Sequence, residues 1–211
     1  MSVEESMGGF GIAEIQYMLS RFQNQSAAVA AATLQAQYPA DNKDMLLAGA
    51  SSLLARDLLV SEDGETMLPK ALAAAAVYAI GNSTRWVSVA FTSDSQGAGV
   101  VYFLNNEVNL MMQGRGLGGW FASAQKADAD LPESWLEMAK LFAHDNENAA
   151  IVFTSTDEAS NLSNVALRRN QSGWEAAAGT GSEQTLQIPG TFSDAEIRTL
   201  LAEKLLAKQD S

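Results

Sequence analysis

The sequence predicts an α+β fold: two related units of antiparallel sheet and helix, joined by a pseudo-two-fold and preceded by N-terminal helices. Three observations predict it. Apolar residues recur at helical spacing over residues 11–58 and again near residue 200. Between them, short alternating strands follow one another through polar turns, the pattern of hairpins and therefore of antiparallel sheet. The order of elements also repeats. Pro69 and Pro132 stand 63 apart, and Phe91-Thr92-Ser93 and Phe153-Thr154-Ser155 stand 62 apart. Val100 and Val165, Asn105 and Asn170, Gly114 and Gly179, and Gly116 and Gly181 are each 65 apart. The chain therefore reads as one globular domain over 1–211, with N-terminal helices over 11–58 and repeat units about 69–131 and 132–208.

Each element has its own signal. Ile12, Ile15, Leu19 and Phe22 lie on one helical face, which predicts a helix over 11–23; the Ala- and Gln-rich segment 24–37 continues it or forms another. Tyr38-Pro39-Ala40-Asp41-Asn42 is a break, and Asp41 or Asn42 caps a helix over 43–58. Asp63-Gly64 marks a turn. Pro69 suits the first turn of a helix over 69–80, which Gly81-Asn82 ends. Trp86–Thr92 alternates, with Val87, Val89 and Phe91 on one face, and is a strand. Val100–Leu104, Glu107–Gln113 and Leu117–Ser123 follow as strands, the first pair joined by Asn105-Asn106, a turn able to take positive φ. A second proline-led helix covers 132–143. Strands then follow at Ala149–Thr154, Val165–Arg169, Trp174–Ala178 and Gln184–Ile188. Ser193 or Asp194, with Glu196 behind it, caps a last helix running to Lys208 along Ile197, Leu200, Leu201 and Leu205.

Composition removes several classes of function. Of 211 residues, 25 are acidic and 13 basic, a net charge of -12 that repels a phosphate backbone and argues against nucleic-acid partners. The acids concentrate in the flanks, while residues 69–132 are neutral. With no cysteine there is no disulfide, thiol nucleophile or thiolate zinc site. One histidine, His144, rules out a histidine-rich metal site within a single chain. The N-terminus lacks the basic and apolar regions of a signal peptide, and the longest apolar run, Ala71–Ile80, is about half a membrane span. These features predict a cytoplasmic protein with no membrane partner.

No constellation argues for chemistry, so catalytic residues, cofactor and metal are all expected to be absent. Gly114-Arg115-Gly116-Leu117-Gly118-Gly119 fits G-x-G-x-x-G, but a strand follows where dinucleotide binding needs a helix, which favours a turn. His144 sits where a helix C-terminus rewards a cation. The acid groups Glu62-Asp63-Glu65, Asp128-Asp130 and Asp157-Glu158 lie in loops without calcium-loop spacing. Helices 43–58 and 69–80 resemble a helix–turn–helix, yet the second offers only Lys70 to DNA. The apolar group Tyr102, Phe103, Met111, Met112, Trp120 and Phe121 points instead to a partner-binding face, since the strand Val100–Leu104 is apolar on both sides and methionine suits adaptable surfaces.

The run Leu53-Leu54-Ala55-Arg56-Asp57-Leu58-Leu59-Val60-Ser61-Glu62-Asp63-Gly64, then Leu68-Pro69-Lys70-Ala71-Leu72, then Arg85-Trp86-Val87, resembles the EspG-type proteins of type VII (ESX) secretion. The likeness spans residues 43–112 at motif level and the rest as element order. It implies two α+β halves about a pseudo-two-fold, and a cytosolic chaperone that binds a helical secretion substrate without doing chemistry. The resulting expectation is a non-catalytic protein-binding module, a chaperone or adaptor for an amphipathic helical partner. The alternatives are a self-associating structural protein, a homodimer, and a nucleotide-linked enzyme using the 114–119 loop.

Overall fold

Residues 6–34, 42–63, 66–181 and 186–207 are described by a computed structural model. In chain order the elements are strand β1 (Ser6–Phe10), helices α1 (Ile12–Leu19), α2 (Gln25–Thr33) and α3 (Lys43–Ala55), strands β2 (Leu59–Ser61) and β3 (Met67–Pro69), helix α4 (Ala71–Asn82), strands β4 (Arg85–Thr92), β5 (Gly97–Leu104), β6 (Val108–Arg115) and β7 (Gly119–Lys126), helix α5 (Leu131–Asp145), strands β8 (Ala150–Asp157), β9 (Leu162–Asn170), β10 (Gly173–Thr180) and β11 (Leu186–Phe192), and helix α6 (Asp194–Leu201), which runs on into a π-turn over Ala202–Leu206. The fold is α+β with antiparallel sheet. The readings that rest on Tyr38-Pro39-Ala40-Asp41, Gly64, Glu65, Gln184 and Lys208 lie outside the described residues.

The chain divides into two compact units. One comprises Met1–Thr84 and Val101–Asp128. Its strands run β1-β7-β6-β5, and α4 packs on them. A Cβ on Gly8 would lie 2.8 Å from Leu72 Cδ2, so α4 packs close on this edge strand and a larger residue there would displace the Leu72 tip. Alanines make α2 and α4 narrow, and Ala27, Ala30, Ala73, Ala76 and Ala79 are all buried. The two helices are tied by side chains: Asn24 caps α2 by accepting from Ala27 N–H at 2.9 Å and donates to the Gly81 carbonyl at 2.8 Å. Ser26 Oγ donates to the Ile80 carbonyl at 2.7 Å. Helices α1 and α3 approach at Gly49, where a Cβ would sit 2.1 Å from the Ala13 carbonyl oxygen. Beside that crossing the buried Glu14 accepts from Arg56 Nη1 at 2.8 Å, Ser52 Oγ at 2.7 Å and its own helix's Gly11 N–H at 2.8 Å. A carboxylate so nearly enclosed needs these donors to offset lost hydration.

The other unit comprises Arg85–Val100 and Ala129–Ser211, with strand order β4-β8-β9-β10-β11. The alternation along β4 buries Val87, Val89 and Phe91, and Phe91 meets Phe142 of α5 with ring centroids 5.3 Å apart. Trp135 of α5 packs on Phe153 of β8 at 6.1 Å. Helix α6 buries Ile197 and Leu201, and the π-turn after it buries Leu205. Ser193 and Glu196 form the capping box at its start. At its end the π-turn frees carbonyls from helical partners, and side chains answer them: Arg85 donates to the Leu205 carbonyl at 2.6 Å and the Ala207 carbonyl at 2.9 Å, and Ser155 Oγ donates to Leu205 at 2.9 Å. Burial lowers the Arg85 pKa from its ordinary value, against the opposing pull of Asp157.

Several expectations are corrected. Of the two alternatives for segment 24–37, the described part forms a separate helix, Gln25–Thr33, capped by Asn24. The helix opening at Lys43 stops at Ala55, since Asp57 turns to φ 54° and Leu58 N–H bonds back to the Leu53 carbonyl. Pro69 does not open a helix; it ends β3, and Lys70 N–H bonds the Leu58 carbonyl before α4 begins. Pro132 does lie in the first turn of α5, which Asp130 caps. Asn105-Asn106 turns without positive φ, because Asn105 Oδ1 accepts from Glu107 N–H at 2.9 Å and Val108 N–H at 3.0 Å. Strand β1 and the β2–β3 hairpin were not foreseen.

Candidate partner-binding face

Strand register sorts the predicted apolar group onto two sides of the sheet. Strand β7 pairs with β6 on one side and β1 on the other, so Met111 and Met7 both stand opposite Ser123, and Gln113 and Gly9 both stand opposite Phe121. Residues two apart share a face, which places Met7, Met111, Gln113, Arg115 and Phe121 together. Met112 and Trp120 belong to the opposite face, the one α4 covers, with Gly8, Ala122 and Leu110.

Burial then separates the group. Tyr102, Phe103 and Met112 are buried within the fold and form core; all five residues from Val100 to Leu104 are at most 9% exposed. These three are withdrawn from the expected binding face, because the fold itself covers both sides of β5. Met111, Trp120 and Phe121 remain half-buried. The sequence reasoning missed Met7, which is 75% exposed in the same row, and it missed Arg115 as a member of the face. Its guanidinium lies over the Phe121 ring, 5.1 Å from the centroid, a cation–π contact that shields part of the ring. The Met7–Gly8–Gly9 run has no alternating pattern by which a strand could be read.

The other motifs resolve into structural roles. Gly116–Gly118 is a single 3-10 turn closing the β6–β7 hairpin, with Leu117 at φ 64° and Gly118 at φ 73°. A strand, not a helix, follows it, so no helix N-terminus faces the glycines as phosphate binding requires. Helix α4 is buried at Leu72, Ala73, Ala75, Ala76, Val77, Ala79 and Ile80 and has no free side with which to enter a DNA groove. His144 is exposed on the last turn of α5, its Nδ1 2.8 Å from Asp145 Oδ1. Asp63 accepts from Thr66 Oγ1 at 2.8 Å and Asp157 from Asn161 N–H at 2.9 Å, closing their own turns. Asp130 is bonded by Arg198, which holds its carboxyl below the usual range. Among the described residues no group of three or more His, Asp or Glu is placed to hold a metal ion. Nor, among them, is any helix long and apolar enough to cross a membrane.

No known family profile matches the chain, and no curated protein matches its sequence. The fold does match a solved structure, that of the Mycobacterium tuberculosis type VII secretion system chaperone EspG5 in complex with the PE25–PPE41 dimer, with a TM-score of 0.59 over 97% of this chain and 99% of that one. The two sequences are 8% identical, so the likeness is one of fold: this chain has an EspG-like fold.

Proposed function

We propose that this protein is a non-catalytic binding module, a cytosolic chaperone or adaptor that holds an amphipathic helical segment of another protein. One observation carries the proposal: Met7, Met111 and Phe121 form a partly open apolar strip on the side of the sheet away from α4, with Arg115 at one end of it. Flexible methionines beside a partly open aromatic ring suit a helix laid into a shallow groove. The EspG-like fold adds support, since the EspG5 structure is one of a chaperone with a protein dimer. The missing cysteines accord with a cytosolic setting.

The repeat belongs to the same reading. The runs α4-β4-β5-β6-β7 and α5-β8-β9-β10-β11 are each a helix followed by four strands. Asn105 and Asn170 close corresponding hairpins alike, each accepting from the N–H two residues on, at 2.9 and 2.8 Å. Strands β4 and β8 pair with Val89 opposite Phe153 and Phe91 opposite Ile151. Under the 62-residue offset these two pairs exchange, as a local two-fold requires.

The test is capture of a partner from the native host by the full chain, with cross-linking to map the contact. The double variant Met111→Asp, Phe121→Asp is expected to lose capture while thermal unfolding stays cooperative; undiminished capture would sink the site. The second reading is a homodimer on the same strip. Light scattering decides, because a monomer at micromolar concentration leaves the strip free for a foreign partner.

A further inference from the structure

We infer that the end of the binding face holds a specificity pocket for a partner segment that presents a carboxylate beside an apolar side chain. This deepens the binding-module reading and rests on it. At the turn end of β1 and β7 lies an open recess of about 310 Å³, lined by Gly9, Phe10, Gly11, Arg115, Trp120 and Phe121. The Phe121 ring supplies an apolar wall on the binding face, and Gly9 and Gly11 leave the space beside it empty; Phe10 and Trp120 border the recess from positions whose side chains the strand register sends to the other face. The volume stands at the low end of ligand sites, of order 300 Å³, room for an anchoring side chain rather than a cofactor.

Charge selects the occupant. Arg115 is exposed, its guanidinium lies over Phe121, and it forms no ion pair among the described residues. Glu14, the acid nearest the recess along α1, is already held by Arg56, Ser52 and Gly11 N–H. An exposed guanidinium held over a ring and without an ion-pair partner is disposed to receive a carboxylate. In a chain of net charge -12, an unneutralised cation beside an apolar recess favours an acidic group there and disfavours a basic one.

The experiment is a titration of the full chain, followed by backbone amide NMR at Gly9 and Gly11, with acetyl-Leu-Leu-Glu-amide and acetyl-Leu-Leu-Gln-amide. Saturable shifts at both glycines are expected, with the Glu peptide binding about fivefold more tightly, the upper range for an exposed ion pair. Arg115→Gln is expected to remove that preference while leaving the weaker binding. Gly11→Val is expected to remove both, because position 11 has extended backbone at φ -82° and nothing within 4 Å of a Cβ, so the side chain enters the recess without straining the fold. Glycine amides that neither peptide moves, equal affinity for the two peptides, or a preference that survives Arg115→Gln would each overturn the inference. The titration needs no natural partner, so its failure is separable from failure of the Met111→Asp, Phe121→Asp capture test.

Discussion

At the residue scale, several positions are decided by what no side chain is allowed to occupy. Gly49 has ordinary helical surroundings in the sequence, and nothing there marks it. Its importance comes from the Ala13 carbonyl, 2.1 Å from where a Cβ would be. Backbone cannot swing aside as a side-chain tip can, so Gly49→Ala must separate α1 from α3. A loss of about 3 kcal/mol is expected, the upper range for overpacking, measured by denaturant unfolding. The two prolines teach a related lesson. The same rule of proline in the first helical turn holds for Pro132 and fails for Pro69, because the β2–β3 hairpin and the bond from Lys70 N–H to Leu58 keep Pro69 extended. Local preference names the residue type; a neighbour ten residues away chooses its conformation.

At the element scale, α6 was legible from its capping box and its Ile197, Leu201 stripe, but its fastenings were not. Asp194 accepts from Trp174 Nε1 at 2.8 Å and pairs with Lys140 at 3.2 Å, while Arg198 reaches Asp130 and Glu133. The Trp174 bond is the largest influence lowering the Asp194 pKa; Asp130 is lowered chiefly by Arg198, and Glu196 by the Ser193 backbone. All three carboxyls ionise more readily folded than unfolded. The stability they add is therefore complete above the ordinary carboxylate range, about pH 4, and drains as pH falls through their lower folded values. Hydrogen exchange is expected to show α6 amides losing protection below that pH before the α5 core does. Trp174→Phe removes one charge-assisted bond and leaves a void where the buried indole stood; it should cost about 3 kcal/mol and raise the pH at which α6 loosens. Strand β1 shows the opposite case. Gly8 lies against Leu72 of α4 and Gly9 faces the other side, and two adjacent glycines erase the alternation by which strands are recognised in sequence.

At the scale of the whole molecule, the element order and antiparallel class from Trp86 onward were legible because short apolar strands are separated by polar turns and by one proline-led helix. The candidate face was legible only in part. Six apolar residues stood out by type, yet type does not say which side of a strand is covered. Tyr102, Phe103 and Met112 proved to be core, whereas Met7 joined the face through pairing with β7, more than a hundred residues distant along the chain, and Arg115 through the β6–β7 hairpin. Charge acts at this scale too. With a sequence pI near 4.4, the chain approaches neutrality just above the range where α6 loosens. Turbidity is expected to peak near that pH at low salt and to fall again well below it, where the chain turns cationic.

The four tryptophans are distributed so that three are sealed and one is not. Trp86, Trp135 and Trp174 are at most 3% exposed, and Trp120 alone is half-buried, its ring beside Gly114. Collisional quenching by neutral acrylamide in the folded protein thus reads a single indole. The molecule carries its own optical probe one residue along β7 from Phe121, on the other face of the same strand, and a change in its emission reports on β7 without any label.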